Sequence, residues 1–327
     1  MKSNKSLYAV IMSVLLIAAW GGCQAHEDSG SSVNADLSSA DPGGEYREED
    51  SDTTESSFGF LDLGITDTPV DELSAIVVQF TGVEIQTEGG NRLQFNFEKP
   101  RQIDLLALHG SDSDLLLDHQ KLPAGRYNWI RLNVTEDGVN GPGSYVSLPD
   151  GTAHPLVIPS GDQSGLKLNN GFNVAAGDTA SFTIEFNLRK SVHRPSPPSS
   201  GKYRLRPTLR LVDNIEAGSV AGSIDPALIY DPYGPACAIY IFEGRDITPH
   251  DMNGTASSPL TTAVIELNPD TGEYTYRAGF LVTGDYTLAF TCQAADDDPE
   301  TDDSINFGET ANVAVLAGAE TTYDFLP

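Results

Sequence analysis

Apolar and polar residues alternate with a period of two along most of the chain beyond residue 57. Residues 76–80 and 130–134 show this pattern clearly, and it predicts strands with one buried face. Turn residues separate the runs, as in 88–91, where Gly can supply the positive φ of a tight turn. Helical periodicity is weak everywhere except at 104–118. We therefore expect an all-β protein with two antiparallel β-sandwich, or partly open barrel, domains.

The length of 327 residues also suggests two domains, at about 150 residues for each. A change in composition near residue 217 marks a boundary, because residues 218–327 hold 18 acidic and only two basic side chains. We place the first domain at 58–214 and the second at 215–327.

Charge and hydropathy exclude two classes of protein. The formal net charge of −28 argues against a nucleic-acid partner, since phosphate binding needs clustered Lys and Arg. Charged residues make up 20% of the chain and only one apolar run is long, which excludes a multispan membrane protein. Such an acidic surface can keep an exported protein soluble, or it can bind divalent cations.

Residues 1–22 have the features of an export signal. Two lysines precede an apolar run at 7–20, which is short for a membrane span but suits a signal peptide. The Gly-Gly-Cys sequence that follows resembles a bacterial lipobox, which implies a palmitate-bearing lipid anchor on Cys23. Gln24 then implies sorting to the outer membrane of the bacterial cell envelope. The alternative is an ordinary signal peptide with Cys23 as a free thiol.

Residues 23–57 are predicted to form a disordered acidic tether. This segment holds ten acidic residues and one basic residue, with few apolar side chains. It therefore cannot bury enough apolar surface to offset its chain entropy, and its like charges repel each other.

Several phrases of the first domain occur in a specific order. They include ITDTPVDELSAIVVQFTGVEIQ (65–86), IDLLALHG (103–110), LLLDHQKLPAGRYNWIRLNV (115–134) and YRLRPTLRLVDN (203–214). Together they resemble the domain of unknown function 4382 family, found in bacterial secreted and lipid-anchored proteins. The resemblance covers most of 58–214 and implies no established activity, catalytic residue or ligand.

The second domain resembles a different module. Its segment NPDTGEYTYRAGFLVTGDYTLAF (268–290) is similar to the end of a transthyretin-like or carboxypeptidase-regulatory-like β-sandwich, a module that usually serves as a stalk or adhesive spacer. With Cys23 assigned to lipid, Cys237 and Cys292 remain as an even pair in a compartment that permits disulfides. We expect them to be bridged; two buried free thiols are the alternative.

Two groups of residues could bind a metal ion. The candidate calcium ligands are Asp296, Asp297, Asp298, Glu300, Asp302 and Asp303. They lack EF-hand spacing, so a solvated loop is the alternative. A second group could be either a metal site or a solvated loop, and it contains His109, Asp112, Asp114, Asp118 and His119.

Two surface patterns suggest other ligands. Tyr127 and Trp129 would share an outer strand face, which is the geometry of a carbohydrate-stacking platform, unless the tether or the second domain covers them. The other pattern is a stripe of cations that could bind an anionic polymer such as acidic polysaccharide, and it includes Arg204, Arg206 and Arg210. The interpretation that we prefer for these cations is pairing across strands with acids such as Glu185.

The chain lacks the common catalytic motifs, and its six histidines are scattered. We therefore expect a non-enzymatic binding or structural module with no cofactor, except that calcium could bind. A polysaccharide or an envelope protein is the candidate partner. One alternative is a calcium-dependent or polysaccharide-binding, adhesin-like module. Another is a hydrolase of unknown type, which would need a pocket with convergent titratable groups.

Overall fold

The computed structural model describes residues 57–68, 73–135, 143–159, 165–195, 201–229, 237–253 and 258–327. The predicted signal peptide, the predicted lipid anchor Cys23 and the predicted tether up to residue 56 lie outside the described residues. Within the described ranges, no helix combines the length and the apolar character that a membrane span needs.

The first β region lies between residues 58 and 213. Its strands are β1 Phe58–Thr68, β2 Ala75–Thr87, β3 Arg92–Asp104, β4 Asp114–Pro123, β5 Gly125–Thr135, β6 Tyr145–Ser147, β7 Ala153–Val157, β8 Leu166–Leu168, β9 Phe172–Val174, β10 Thr179–Asn187, β11 Val192–His193, β12 Tyr203–Leu205 and β13 Leu209–Asp213. A short helix, α1 Leu188–Ser191, and a 3-10 turn, Leu105–Ala107, lie between strands.

Two sheets of this region share one core. The described strands form a 4-stranded sheet in the order β13-β10-β1-β4 and a 9-stranded sheet along β11-β12-β7-β6-β2-β5-β8, with β3 paired to β2 and β9 to β5. Inward side chains from both sheets, such as Leu63, Val78 and Ile130, are fully buried in a single cluster. Each buried side chain of this size contributes about 1.5–3 kcal/mol relative to exposure, so the alternating pattern that predicted the strands also stabilises them.

The second β region lies between residues 217 and 325. Its strands are β14 Ala217–Ile224, β15 Ala238–Glu243, β16 Thr261–Leu267, β17 Tyr274–Val282, β18 Gly284–Thr291, β19 Thr310–Val315 and β20 Glu320–Thr322. They form a 7-stranded sheet in the order β19-β18-β15-β16-β17-β14-β20. Strand β15 is buried on both faces, since Ile239 and Ile241 join one apolar cluster while Tyr240 and Phe242 join another.

The predicted all-β class with sandwich-like sheets is confirmed. Residues 104–118, where helical periodicity was strongest, instead form a 3-10 turn and the first part of β4. Asp104 caps that turn by accepting a hydrogen bond from the Leu106 N–H. The two β regions have separate buried clusters, yet both belong to one compact body.

Candidate functional site

The aromatic pair predicted on β5 does not share a strand face. Tyr127 is 1% exposed and lies in the core, where its ring stacks on Phe172 with 5.0 Å between centroids. The register between β5 and β2 shifts at this point, which places a β-bulge between Tyr127 and Trp129. A bulge inserts one residue into a strand and so reverses the alternation of faces. The predicted outer-face position is therefore wrong for Tyr127.

Trp129 is only 6% exposed, because cationic side chains cover its ring. The ring centroid lies 4.7 Å from Lys167 Nζ, 4.9 Å from Arg131 Cζ and 5.6 Å from Arg92 Cζ. Glu84 holds both arginines, at 2.9 Å from Arg131 and 3.4 Å from Arg92. These cation–π contacts leave Trp129 without an open ring face on which a sugar could stack.

The predicted stripe of cations is divided among separate positions. Arg204 is exposed on β12, and Arg206 follows that strand and pairs with Glu300 at 3.0 Å. Arg210 lies on β13 directly opposite Glu185 on β10, and the two side chains form a salt bridge. Residues 206–208 interrupt the strand, so the three arginines do not share one strand face. Arg210 therefore forms the cross-strand pair with Glu185 that we preferred from the sequence.

Glu185 is the centre of a buried polar junction between the two β regions. Its Oε1 accepts hydrogen bonds from the Thr68 hydroxyl at 3.0 Å and from the Thr261 hydroxyl at 2.9 Å. The two hydroxyl oxygens also lie 2.6 Å from each other. The Thr68 and Thr261 hydroxyl protons are therefore shared among three short oxygen–oxygen contacts. Thr261 begins β16 of the second region, whereas Thr68, Glu185 and Arg210 belong to the first. A buried charge left without such partners would be strongly destabilising.

Two cationic side chains of α1 also bind backbone carbonyls of the second region. Lys190 donates to the Pro259 carbonyl at 2.8 Å, and burial lowers the pKa of Lys190. Arg189 donates to the Ala294 carbonyl at 2.6 Å and is itself buried. These bonds connect α1 of the first region to two segments of the second.

A separate backbone contact depends on glycine. The Gly279 N–H donates to the Gly110 carbonyl at 2.8 Å, so β17 lies directly against the loop that follows the 3-10 turn. A Cβ atom at position 279 would lie only 2.5 Å from the Gly110 oxygen and 3.0 Å from Ser111 Cα. Both obstacles are main chain, so only glycine allows this approach.

A polar groove of about 760 Å³ lies beside this contact. His109 borders it, with Nδ1 3.0 Å from the Leu106 carbonyl and Nε2 3.0 Å from a Glu266 carboxylate oxygen. The Ser111 hydroxyl lies 3.5 Å from Arg277. Because both ring nitrogens of His109 are engaged elsewhere, the groove does not pair this histidine with Ser111 as base and nucleophile.

The metal group predicted between residues 109 and 119 is not brought together. Asp114 pairs with Arg101 at 2.9 Å, and His119 stacks on Phe60 with 3.9 Å between ring centroids. Among the described residues, the groups with metal-ligand geometry lie elsewhere, in the second region.

The six predicted calcium ligands have different surroundings. Glu300 pairs with Arg206 at 3.0 Å and with His193 at 3.3 Å. Asp298 accepts the Glu300 N–H at 2.9 Å, and Asp296 is exposed. The other three acids lie close to Asp251, a residue from another segment. They are Asp297, Asp302 and Asp303.

That residue, Asp251, was missed at the level of sequence. One oxygen each of Asp251, Asp297 and Asp303 lie within 4.8 Å of one another, and Asp251 also forms such a group with His250 and Asp302. Asp251 lies in a short irregular segment, far along the chain from the acidic run. The one available signal was the sequence His-Asp-Met-Asn-Gly at 250–254, which is typical of a turn.

The side chain of Asp251 is completely buried. Its Oδ2 accepts a hydrogen bond from the Asp303 N–H at 2.5 Å. Its Oδ1 is buried without a hydrogen-bond partner among the described residues, and so is His250 Nδ1. These two atoms are 2.5 Å apart but outside hydrogen-bond geometry.

Asp297 is held in place by donors. Its Oδ2 accepts from the Tyr240 hydroxyl at 2.6 Å, and its two oxygens lie 3.0 and 3.1 Å from the Met252 N–H. Burial raises the pKa of Asp297, although these hydrogen bonds and Arg189 act in the opposite direction. The carboxylate is therefore oriented and partly desolvated.

Residues 58–207 match the model of a protein family described as a domain of unknown function, DUF4382. The first β region is therefore similar to this domain family. This supports the resemblance drawn from the ordered phrases of residues 65–214. The lipobox resemblance at Cys23 and the transthyretin-like resemblance at 268–290 stay predictions.

No curated protein matches the chain. Among solved structures, the Bacillus anthracis TIE protein is 13% identical, with 81% of this chain and 33% of that chain covered and a TM-score of 0.19. The chain therefore spans about a third of that structure's length. The minor pilin of Streptococcus agalactiae is 13% identical, with 81% and 94% covered and a TM-score of 0.18. A family 26 carbohydrate-binding module of Eubacterium rectale, in complex with maltoheptaose, is 12% identical, with 81% and 91% covered and a TM-score of 0.18. These TM-scores are too low to indicate a shared function.

Proposed function

We propose that this protein is a non-enzymatic module of the bacterial cell envelope, in which the two β regions act as one rigid body that spaces or presents a binding surface. The observation that carries the proposal is the junction at Glu185, where a buried carboxylate takes partners from both regions. Flexibly linked domains would expose such groups to water, whereas these are buried and mutually satisfied.

The lipid anchor belongs to the same proposal. Cys23 lies outside the described residues, and its role rests on the Gly-Gly-Cys sequence after the apolar run. In this view the acidic tether separates the rigid body from an outer membrane. Replacement Cys23→Ser is the check, because it should move the protein from the membrane fraction to the soluble fraction.

Rigidity can be tested by measuring distances between spin labels on the two β regions. Glu88 and Asp270 are both exposed in turns, one in each region, so Glu88→Cys and Asp270→Cys in a Cys23→Ser background provide labelling positions. The expected result is a narrow distance distribution. Gly279→Ala should broaden it, because the new Cβ would meet the Gly110 carbonyl oxygen.

Gly284→Ala is the matched control. A Cβ at position 284 would meet its nearest atoms at 3.8 Å, which is ordinary van der Waals contact, and the substitution should leave the distribution unchanged. A broad distribution in the parent chain would show that the two regions move independently and would overturn the proposal.

A polysaccharide or an envelope protein remains the proposed partner. The covered Trp129 ring and the core position of Tyr127 remove the platform that first suggested a sugar. Binding of the same full chain to a glycan array would separate a carbohydrate ligand from a purely spacing role.

A further inference from the structure

The carboxylate of Asp251 has an unusual environment for a charged group. Its side chain is completely buried, and its Oδ1 has no hydrogen-bond partner among the described residues. A buried ionised group without a partner is costly, and proteins normally compensate it with a cation or with hydrogen bonds. His250 Nδ1 lies 2.5 Å from this oxygen but outside hydrogen-bond geometry, and two further carboxylates, Asp297 and Asp303, have ligand geometry with Asp251. Three acids therefore converge around a buried oxygen that accepts no hydrogen bond among the described residues.

We propose that Asp251, Asp297 and Asp303 form a Ca²⁺ site in the second β region. The three ligand oxygens lie within 4.8 Å of one another, which a cation between them can span. Calcium takes six to eight oxygen ligands at about 2.3–2.6 Å, from carboxylates in one- or two-oxygen contact and from water. Nothing in this assignment depends on the rigid-body function proposed above.

The ligand atoms favour a hard cation. All three are carboxylate oxygens, whereas the overlapping group of His250, Asp251 and Asp302 contains a nitrogen and an exposed acid. Oxygen-only sets select calcium or magnesium over zinc. Magnesium demands near-ideal octahedral geometry and gives up its water reluctantly, so a site of irregular loops suits calcium better.

Neighbouring donors orient all three ligands before any cation binds. Tyr240 and the Met252 N–H hold Asp297, and the Asp303 N–H holds Asp251 Oδ2, which leaves Oδ1 for the ion. Asp303 accepts its own hydrogen bonds, from Asp298 and Thr301, on Oδ2. Such outer contacts commonly tune metal affinity by about 10–100-fold.

The site would connect two loops next to the junction. Asp251 comes from the segment after β15, while Asp297 and Asp303 follow the 3-10 turn Ala294–Asp296. Arg189 of the first region binds the Ala294 carbonyl at 2.6 Å. Calcium would therefore fix the loop that receives this arginine.

Terbium luminescence tests the proposal on the full chain. Tb³⁺ substitutes for Ca²⁺, and Tyr240, hydrogen-bonded to Asp297 at 2.6 Å, is placed to sensitise it. The expected result is tyrosine-excited luminescence that calcium suppresses and magnesium does not, together with a calcium-dependent rise in melting temperature. Asp251→Asn should weaken calcium by at least about tenfold, the lower range for outer-shell losses, and Asp303→Asn should do the same.

Asp296→Asn is the matched control, since it removes one exposed acid from the same run but lies outside the ligand group. It should leave affinity unchanged. All luminescence measurements use a Tyr46→Phe background, because Tyr46 lies among the acids of the tether and would sensitise terbium bound there. Melting of each variant without metal confirms that it is folded. Luminescence that persists in Asp251→Asn, equal losses in Asp296→Asn, or binding of zinc but not calcium would overturn the proposal.

Discussion

Two buried acids on adjacent strands, Glu185 and Asp67, have very different hydrogen-bond environments. Glu185 is 5% exposed and is paired with Thr68, Thr261 and Arg210. Asp67 is equally buried, but neither of its carboxylate oxygens has a hydrogen-bond partner of normal geometry among the described residues. Burial raises the pKa of Asp67 well above its ordinary value, and the negative charges of Glu185 and Asp104 raise it further. The neutral acid is therefore the form that suits the fold.

This pKa predicts a pH dependence of stability. The folded chain binds the Asp67 proton more tightly than the unfolded chain, so the associated stability is complete below the unfolded pKa and is lost as pH rises through the folded pKa. Asparagine cannot ionise, so Asp67→Asn should remove this loss of folding stability at higher pH. We expect the variant to gain about 1–3 kcal/mol over the parent chain at the alkaline end, the scale of one buried unsatisfied group.

Denaturant unfolding at several values between about pH 5 and pH 8 measures the effect. Asp118→Asn is the control, because it removes an exposed acid from β4 and reports the general relief of self-repulsion. Parallel pH profiles for the two variants would contradict the assignment to Asp67.

Individual strands show what periodicity can and cannot predict. Alternation identified β2, β5 and β10, because one face of each lies in a common core. Alternation could not locate the bulge in β5, because one added residue does not visibly interrupt the pattern in the sequence. In the structure this bulge turns the Tyr127 side chain into the core. Likewise, the acidic run showed where carboxylates cluster along the chain, but the buried Asp251 joins Asp297 and Asp303 only through tertiary structure. Local patterns therefore predicted elements, and contacts between distant segments decided the sites.

The cysteine pair was predicted from the even number of cysteines that remain once Cys23 is assigned to lipid, and strand pairing explains why the two meet. Cys237 precedes β15 and Cys292 follows β18, and these antiparallel strands pair Ala238 with Thr291. The predicted disulfide is present, with 55 residues of sequence separation. Closing a loop of that length contributes roughly 4 kcal/mol by the chain-entropy estimate.

Replacement of both cysteines by alanine should therefore lower the free energy of unfolding by about 4 kcal/mol. Denaturant unfolding of the exported chain measures it. Reductant should destabilise the parent chain to a similar degree and should leave the double variant unchanged, which separates the bridge from other effects of reduction. Two free thiols in the mass spectrum of the exported protein would contradict the prediction.

At the scale of the whole molecule, the junction determines how stability is shared. The second region carries most of the acidic excess, with 18 acidic and two basic residues in 218–327, and self-repulsion of this kind opposes compactness. Part of the compensation comes from cations of the first region, since Arg189 and Lys190 both reach carbonyls of the second region and Arg206 pairs with Glu300. Unfolding of the second region would remove the carbonyl partners of Arg189 and Lys190 named above, and it would remove the Thr261 hydroxyl from Glu185. The two regions should consequently unfold as coupled units.

Adjacent threonines on β16 allow a direct test of this coupling. The Thr261 hydroxyl donates to Glu185 and contacts Thr68, whereas the Thr262 hydroxyl is buried without a hydrogen-bond partner among the described residues. Valine has nearly the shape of threonine and lacks the hydroxyl. Thr261→Val should therefore lower the free energy of unfolding by about 1.5–3 kcal/mol, the range for hydrogen bonds to charged groups, while Thr262→Val should cost nothing.

The fluorescence of Trp129 shows whether the loss crosses the junction. This ring lies in the first region, between Arg131 and Lys167, and Thr261 lies in the second. If the regions are coupled, Thr261→Val shifts the denaturant midpoint that Trp129 reports, together with the midpoint from circular dichroism. An unchanged Trp129 midpoint, or equal shifts in the two valine variants, would mean that the Glu185 junction does not transmit stability from one β region to the other.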